Sequence, residues 1–381
     1  MLIARLFYFV IFAAMAFLLP FLALYYQKNL GLSGSQIGLL TGMAPIISLV
    51  GASIWGALAD ATQKHKAILL VTIAGVWASV LAIFRAPGFM ILSAAVAVYA
   101  FMGSPILSIV DNSVMTLLGD RQDEYGLERV WGSVGWGVSA ILAGVLIQRL
   151  GLHWAFYGYL LLFAVLFLVA IRLPIPKVSI GNNFWQGLRS FATNSRWLIF
   201  LSLALVQGLA LGVFLNFLFL RLSDMGSSRT IMSYSLTVAT FSEIPFFLLG
   251  HKLLRRWSPV QLLAFATLLT VLRAFMYAGM TAPWQVLVVS LLHGPTFAVM
   301  WTAGVAYAME IAPKGLGTTA LGVFSGVVFG LGSATGAMTG GWLYEHAGGV
   351  APFVWVGVAA MLALVPFTWV HRRSLLRIGA D

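Results

Sequence analysis

Twelve apolar runs, each long enough to cross a bilayer, follow one another along the chain with few polar residues between them. A hydrocarbon core of about 30 Å calls for roughly 20 apolar residues per helix. The first six runs fall at roughly 5–26, 37–59, 67–85, 89–113, 127–149 and 153–172. The second six fall at roughly 197–221, 230–250, 259–281, 283–311, 316–343 and 350–370. In lipid every backbone N–H and C=O must be satisfied within its own segment, so such runs read as helices. Only 9% of the 381 residues are charged, and mean hydropathy is +0.96. A water-soluble chain of this size needs far more charge to cover its surface. The expected fold is therefore an all-α, multi-pass membrane protein of twelve transmembrane helices. The run after Arg5 reaches Tyr26, which suits a retained span better than a cleaved leader. With no cysteine there is no disulfide and no thiolate metal site.

The longest polar interruption, "PIPKVSIGNNFWQGLRSFATNSR", runs from Pro174 to Arg196. It divides the chain into an N-terminal six-helix bundle at 1–173, a cytoplasmic linker at 174–196 and a C-terminal six-helix bundle at 197–381. The net charge of +11 could suggest nucleic acid, but its placement does not. With the N-terminus in the cytoplasm, fifteen of the 22 Lys and Arg residues fall in cytoplasmic segments and five outside. That asymmetry fits the positive-inside rule with both termini cytoplasmic. The basic excess is thus a topology signal, and no nucleic-acid partner is expected.

One hairpin recurs. Ile37 and Gly56 are nineteen residues apart and precede "ALADATQKHK"; Ile231 and Gly250 are nineteen apart and precede "HKLLRRWSP". The offset, 231 minus 37, is 194, about half the chain. Both copies are a helix, a glycine, a short basic turn and another helix. A six-helix half repeated in parallel resembles the major facilitator superfamily. Gly56, Asp60, Lys64 and Lys66 resemble that superfamily's loop motif between helices 2 and 3. The resemblance implies a cytoplasmic gating motif at Asp60, Lys64 and Lys66. Ala61 stands where a basic residue is usual and Gln63 where glycine is usual, which implies an altered turn.

Ionisable residues inside spans are costly and are functional candidates by default. Here they are Asp111, Arg129, Glu243, Arg273 and His293, with Glu310 at the end of its run. "DNSVMTLLGDRQDEYGLERVWGSVGWGVSA", Asp111 to Ala140, resembles the helix 4–5 region of the lactose-permease-like oligosaccharide–proton symporters. That family places an acid on helix 4, an arginine eighteen residues later, a small residue four beyond that and a tryptophan seven beyond. Those positions are Asp111, Arg129, Ser133 and Trp136, which the resemblance assigns to substrate binding. A carboxylate and a guanidinium offer charge-assisted hydrogen bonds, and an indole offers a stacking face. Positions 129, 133 and 136 share one helix face, and the set is expected to line a cavity near the bilayer midplane. Arg273 and His293, twenty residues apart, match the same family, with Glu243 as the acid on helix 8. The resemblance assigns these three to proton coupling. The family's proton-releasing glutamate, three residues after the histidine, is replaced here by Thr296. "LLHGPTF", "YGLERVWGSV" and "HKLLRR" also resemble the phenylpropionate permease branch.

The resemblance implies a secondary active transporter. The expected activity is proton-coupled symport of a small organic solute (sugar, nucleoside or aromatic acid) by alternating access. The expected setting is the lipid bilayer of a bacterial cytoplasmic membrane, with the protein a monomer and without cofactor or metal. Two alternatives stay open: a proton-antiport efflux carrier, or a non-transporting assembly or receptor protein on the same fold. The efflux branch typically carries a glycine-proline motif on helix 5. Here that run holds Gly132, Gly135 and Gly137 and no proline. No HExxH, GxSxG or His-rich cluster suggests an enzyme.

Overall fold

The computed structural model describes residues 1–176, 195–313 and 316–372, and within these not the side chains of 122, 123, 195 and 318. Most of the 174–196 linker, and the basic residues Lys177, Arg189, Lys314, Arg373 and Arg377, lie outside the described residues. Twelve helices are long and apolar enough to span a membrane. They are α1 (Leu2–Leu30), α2 (Gly34–Thr62), α3 (His65–Arg85), α4 (Phe89–Arg121), α5 (Tyr125–Leu150) and α6 (His153–Arg172). The second set is α7 (Arg196–Asp224), α8 (Arg229–Arg256), α9 (Pro259–Gly279), α10 (Gln285–Glu310), α11 (Thr319–Ala347) and α12 (Ala351–Val370). No strand occurs among the described residues.

Helix starts follow local capping chemistry. Ser258 and Gln261 form a reciprocal capping box at the start of α9, with Pro259 at the first helical position. Ser33 and Gln36 exchange the same two hydrogen bonds before α2. The largest difference from the sequence expectation is α4. The expected span ends near residue 113, but the helix continues through Leu118 into a 3-10 turn at Gly119–Glu124.

The two halves repeat one packing scheme. In the first, α1 packs on α5 and α6, and α3 on α4 and α6. In the second, α7 packs on α11 and α12, and α9 on α10 and α12. Adding six to each label converts one pattern into the other, as a parallel repeat requires. The chain separates into two compact units. The first gathers Met1–Gly31, the helices from Met43 to the end of α6, and Ser228–Thr237; the second gathers Leu32–Gly42 and the described chain from α7 onward apart from that α8 segment.

Small residues set the closest approaches. In α11, Gly332 and Gly336 lie against the backbone of α7 at Leu205 and Leu209. The glycine-rich stretch from Gly322 to Trp342 is thus a packing face inside a span.

Candidate functional site

The first unit holds Asp111, Arg129, Ser133 and Trp136. The α4 backbone is interrupted at Ser104 and Pro105, where proline supplies no N–H, and resumes at Ile106. Asp111 lies on the resumed segment. The Tyr8 hydroxyl of α1 donates to Asp111 Oδ1 at 2.6 Å, and the Tyr125 hydroxyl reaches the same carboxyl. No ion pair within 4 Å joins Asp111 to Arg129 among the described residues, although Arg129 is near enough to act electrostatically on that carboxyl. The Arg129 guanidinium lies over the Phe12 ring, 4.3 Å from its centroid, and 5.2 Å from that of Tyr8. Such cation–π contacts contribute about 0.5–2 kcal/mol.

This geometry depends on a tight α1–α5 contact. A Cβ on Gly135 would collide with the backbone of Phe9, so only glycine lets α5 come this close. Beside Arg129, Glu128 is only 2% exposed and accepts two hydrogen bonds from Arg5, at 2.7 and 2.9 Å. That bidentate pair ties the first turn of α1 to α5. Ser133 and Trp136 are half-buried on the helix face of Arg129. Sequence reasoning left Tyr8 out of the site and did not single out Phe12, Tyr125 or the Arg5–Glu128 brace. Tyr8 looks like Tyr25 and Tyr26 in the same run, and only its partner across 103 residues distinguishes it.

In the second unit, Glu243, Arg273 and His293 come together as one hydrogen-bonded chain. Glu243 Oε1 lies 2.6 Å from His293 Nε2, and His293 Nδ1 lies 2.8 Å from Arg273 Nη1. The same Nη1 donates to Thr296 Oγ1 at 3.1 Å. Arg273 Nε and Nη2 donate to the Tyr277 hydroxyl at 3.3 and 3.1 Å. Phe214 covers the guanidinium at 4.9 Å, and Phe297 stacks on the His293 ring with planes 1° apart. Thr296, at the position of the family's glutamate, completes a shell with Tyr277, Phe214 and Phe297, which family spacing did not identify.

The local backbone explains how His293 reaches α8. Pro295 removes one helical donor, and Gly294–Ala298 widens into a π-helical turn. A Cβ on Gly294 would overlap the Ser242 carbonyl, so α10 touches α8 at this point. The Gly294 N–H donates to Ser242 Oγ at 2.9 Å. The next residue on α8 is Glu243.

In the α2–α3 turn, Asp60 is half-buried and Lys64 is exposed. The Lys66 ammonium donates to the Ala170 and Leu173 carbonyls, capping the end of α6. Gln63 itself takes the left-handed conformation, with φ 53°, and its amide donates to the Asp60 carbonyl at 2.8 Å. The residue at the position where glycine is usual thus takes a backbone conformation that favours glycine, and its side chain bonds back locally.

Twelve membrane-capable helices whose two halves share one packing pattern, with ionisable residues inside spans, define a major-facilitator-type membrane transporter. The chain belongs to the MFS_1 like family, whose model matches residues 1–355. It is 27% identical to the maltose permease of Geobacillus stearothermophilus over 90% of this chain and 87% of that protein. It is 26% identical to the probable 3-phenylpropionic acid transporter of Escherichia coli (strain K12) over 90% of each. The crystal structure of the nucleoside transporter NupG shares the fold, with a TM-score of 0.84 at 18% identity and 98% coverage of both chains. The chain is an integral multi-pass transporter and not an enzyme.

Proposed function

We propose that the protein is a proton-coupled symporter that imports a small ring-bearing organic solute by alternating access. The observation that carries this reading is the chain Glu243–His293–Arg273. It links a carboxylate, an imidazole and a guanidinium on three consecutive helices of one unit. A proton held there would be felt by each member, because successive hydrogen bonds link all three groups. Asp111, Arg129, Ser133 and Trp136 form the solute site, with Tyr8 and Phe12 orienting the two charges. A carboxylate and a guanidinium fix hydroxyl or carboxylate groups, and the indole takes a ring face. Sugar, nucleoside and aromatic acid remain the solute classes, consistent with the maltose and phenylpropionic acid named for the two relatives.

The positive-inside asymmetry supports cytoplasmic termini, and the Geobacillus and Escherichia relatives support a bacterial cytoplasmic membrane. In this reading the carrier works as a monomer. Asp60 and Lys64 act in gating that face, and Lys66 anchors the turn to α6. The test is uptake of radiolabelled maltose, uridine and 3-phenylpropionate into proteoliposomes. Accumulation of one solute against its gradient when the outside is acid, abolished by a protonophore, is the expected result. Accumulation that ignores the pH gradient, or efflux driven by inward proton flow, would overturn the proposal.

A further inference from the structure

Resting on the proton-coupled reading, we infer that Glu243 carries the coupling proton, while Arg273 holds His293 neutral throughout. The inference follows from which atoms can donate. A guanidinium has donors only. Arg273 Nη1, 2.8 Å from His293 Nδ1, therefore requires an unprotonated Nδ1 that accepts. A neutral imidazole then carries its one proton on Nε2. That N–H points at Glu243 Oε1, 2.6 Å away, which accepts.

An added proton has two places to go. On His293 Nδ1 it would break the hydrogen bond from Arg273 and set an imidazolium against a guanidinium. On Glu243 Oε2 it breaks nothing, because Oε1 still accepts from Nε2–H as a carbonyl oxygen. The step is balanced: a carboxylate and a proton from water become a carboxylic acid, and the return step reverses it. Thr296 does not compete. Its hydroxyl donates to the Leu292 or His293 carbonyl and accepts from Arg273, and it does not titrate.

The other groups facing this site follow the same assignment. From α9 come Arg273 and the Tyr277 hydroxyl, which accepts from Arg273. From α10 come His293 and Thr296, and from α7 only the Phe214 ring over the guanidinium. On α8 itself, His251 and Lys252 lie about two turns beyond Glu243. The Glu243 and His293 side chains are 17% and 21% exposed, enough for water to deliver the proton.

The experiment uses the purified full chain in lipid nanodiscs, with protons as the only probe. Nitrogen-15 NMR of the ring nitrogens follows His293, assigned by its loss in His293→Gln. Infrared difference spectra between alkaline and acid pH follow the protonated carboxyl band, assigned by its loss in Glu243→Gln. Glu243→Asp, which moves the band, serves if that variant fails to fold. As the Glu243 band rises, His293 is expected to keep one N–H, on Nε2. In Arg273→Ala, His293 gains a second N–H in the same range.

A doubly protonated His293 beside an ionised Glu243 in the wild type would overturn the inference and leave symport standing. The expected spectra, in a protein whose uptake ignores the pH gradient, would support the proton assignment and remove the symport reading.

Discussion

Gln63 occupies a backbone region that costs an L-residue with a Cβ about 1–2 kcal/mol, and it does so at the turn that bears Asp60. Its amide offsets part of that cost through the hydrogen bond to the Asp60 carbonyl. Gln63→Gly removes the strain and the bond together, whereas Gln63→Ala keeps the strain and loses the bond. The glycine variant should therefore exceed the alanine variant by about 1 kcal/mol. The order of apparent Tm values in detergent reads this directly, and an alanine variant at or above glycine would contradict it. Arg129 presents a different balance. It is held by two aromatic faces and has no direct bond to Asp111, which leaves its planar fork available to a solute. Arg129→Ala should weaken binding by about ten- to a hundredfold, the loss of one charged hydrogen bond of 1.5–3 kcal/mol. Arg129→Lys should rescue little, because an ammonium lacks the fork and stacks less well. Equilibrium binding of whichever labelled solute is transported measures both, and wild-type affinity in the alanine variant would remove Arg129 from the site.

At the scale of the helix, the spans were legible because bilayer thickness imposes a length on every apolar run. The extension of α4 through Leu118 was not read, because Asp111-Asn112-Ser113 looks like the polar end of a run, although Val114-Met115-Thr116-Leu117-Leu118 is apolar again and continues the helix. The Glu243–His293–Arg273 cluster was legible through the twenty-residue spacing of Arg273 and His293. Tyr277, one helical turn after Arg273, was hidden among ordinary apolar-face aromatics. The π-turn was written only in the pair Gly294-Pro295, where one residue permits close approach and the other deletes a donor. Its importance can be measured. Gly294→Ala would push α10 away from Ser242 and lengthen the Glu243–His293 contact, at about 1–3 kcal/mol as for other overpacked sites. Proton-driven uptake should fall at least tenfold. Gly279→Ala, where an added methyl meets nothing within 4 Å, should not change it. Equal uptake by the two variants would show that the close approach is dispensable.

For the whole molecule, the parallel repeat and the charge asymmetry make a joint claim about sidedness. Six spans per half return the chain to the side on which it started, so both halves begin on the same face. Equivalent positions 194 residues apart must then share a side. Pro87, between α3 and α4, corresponds to Thr281, between α9 and α10; Ala61, at the end of α2, corresponds to Arg255, at the end of α8. All four are exposed, and the chain has no cysteine of its own, so each single-cysteine variant reports one place. The basic clusters Lys64-His65-Lys66 and Lys252 to Arg256 flank the second pair of sites, whereas Arg85 alone lies near the first pair. Loss of one of the fifteen charges that the sequence assigns to the cytoplasmic side is too small a change in Arg255→Cys to reverse the orientation. A membrane-impermeant maleimide should therefore label Pro87→Cys and Thr281→Cys on intact cells, and Ala61→Cys and Arg255→Cys only after permeabilisation. Labelling of 87 and 281 from opposite sides would break the parallel repeat, and labelling of both only from within would invert the membrane orientation while leaving the repeat intact.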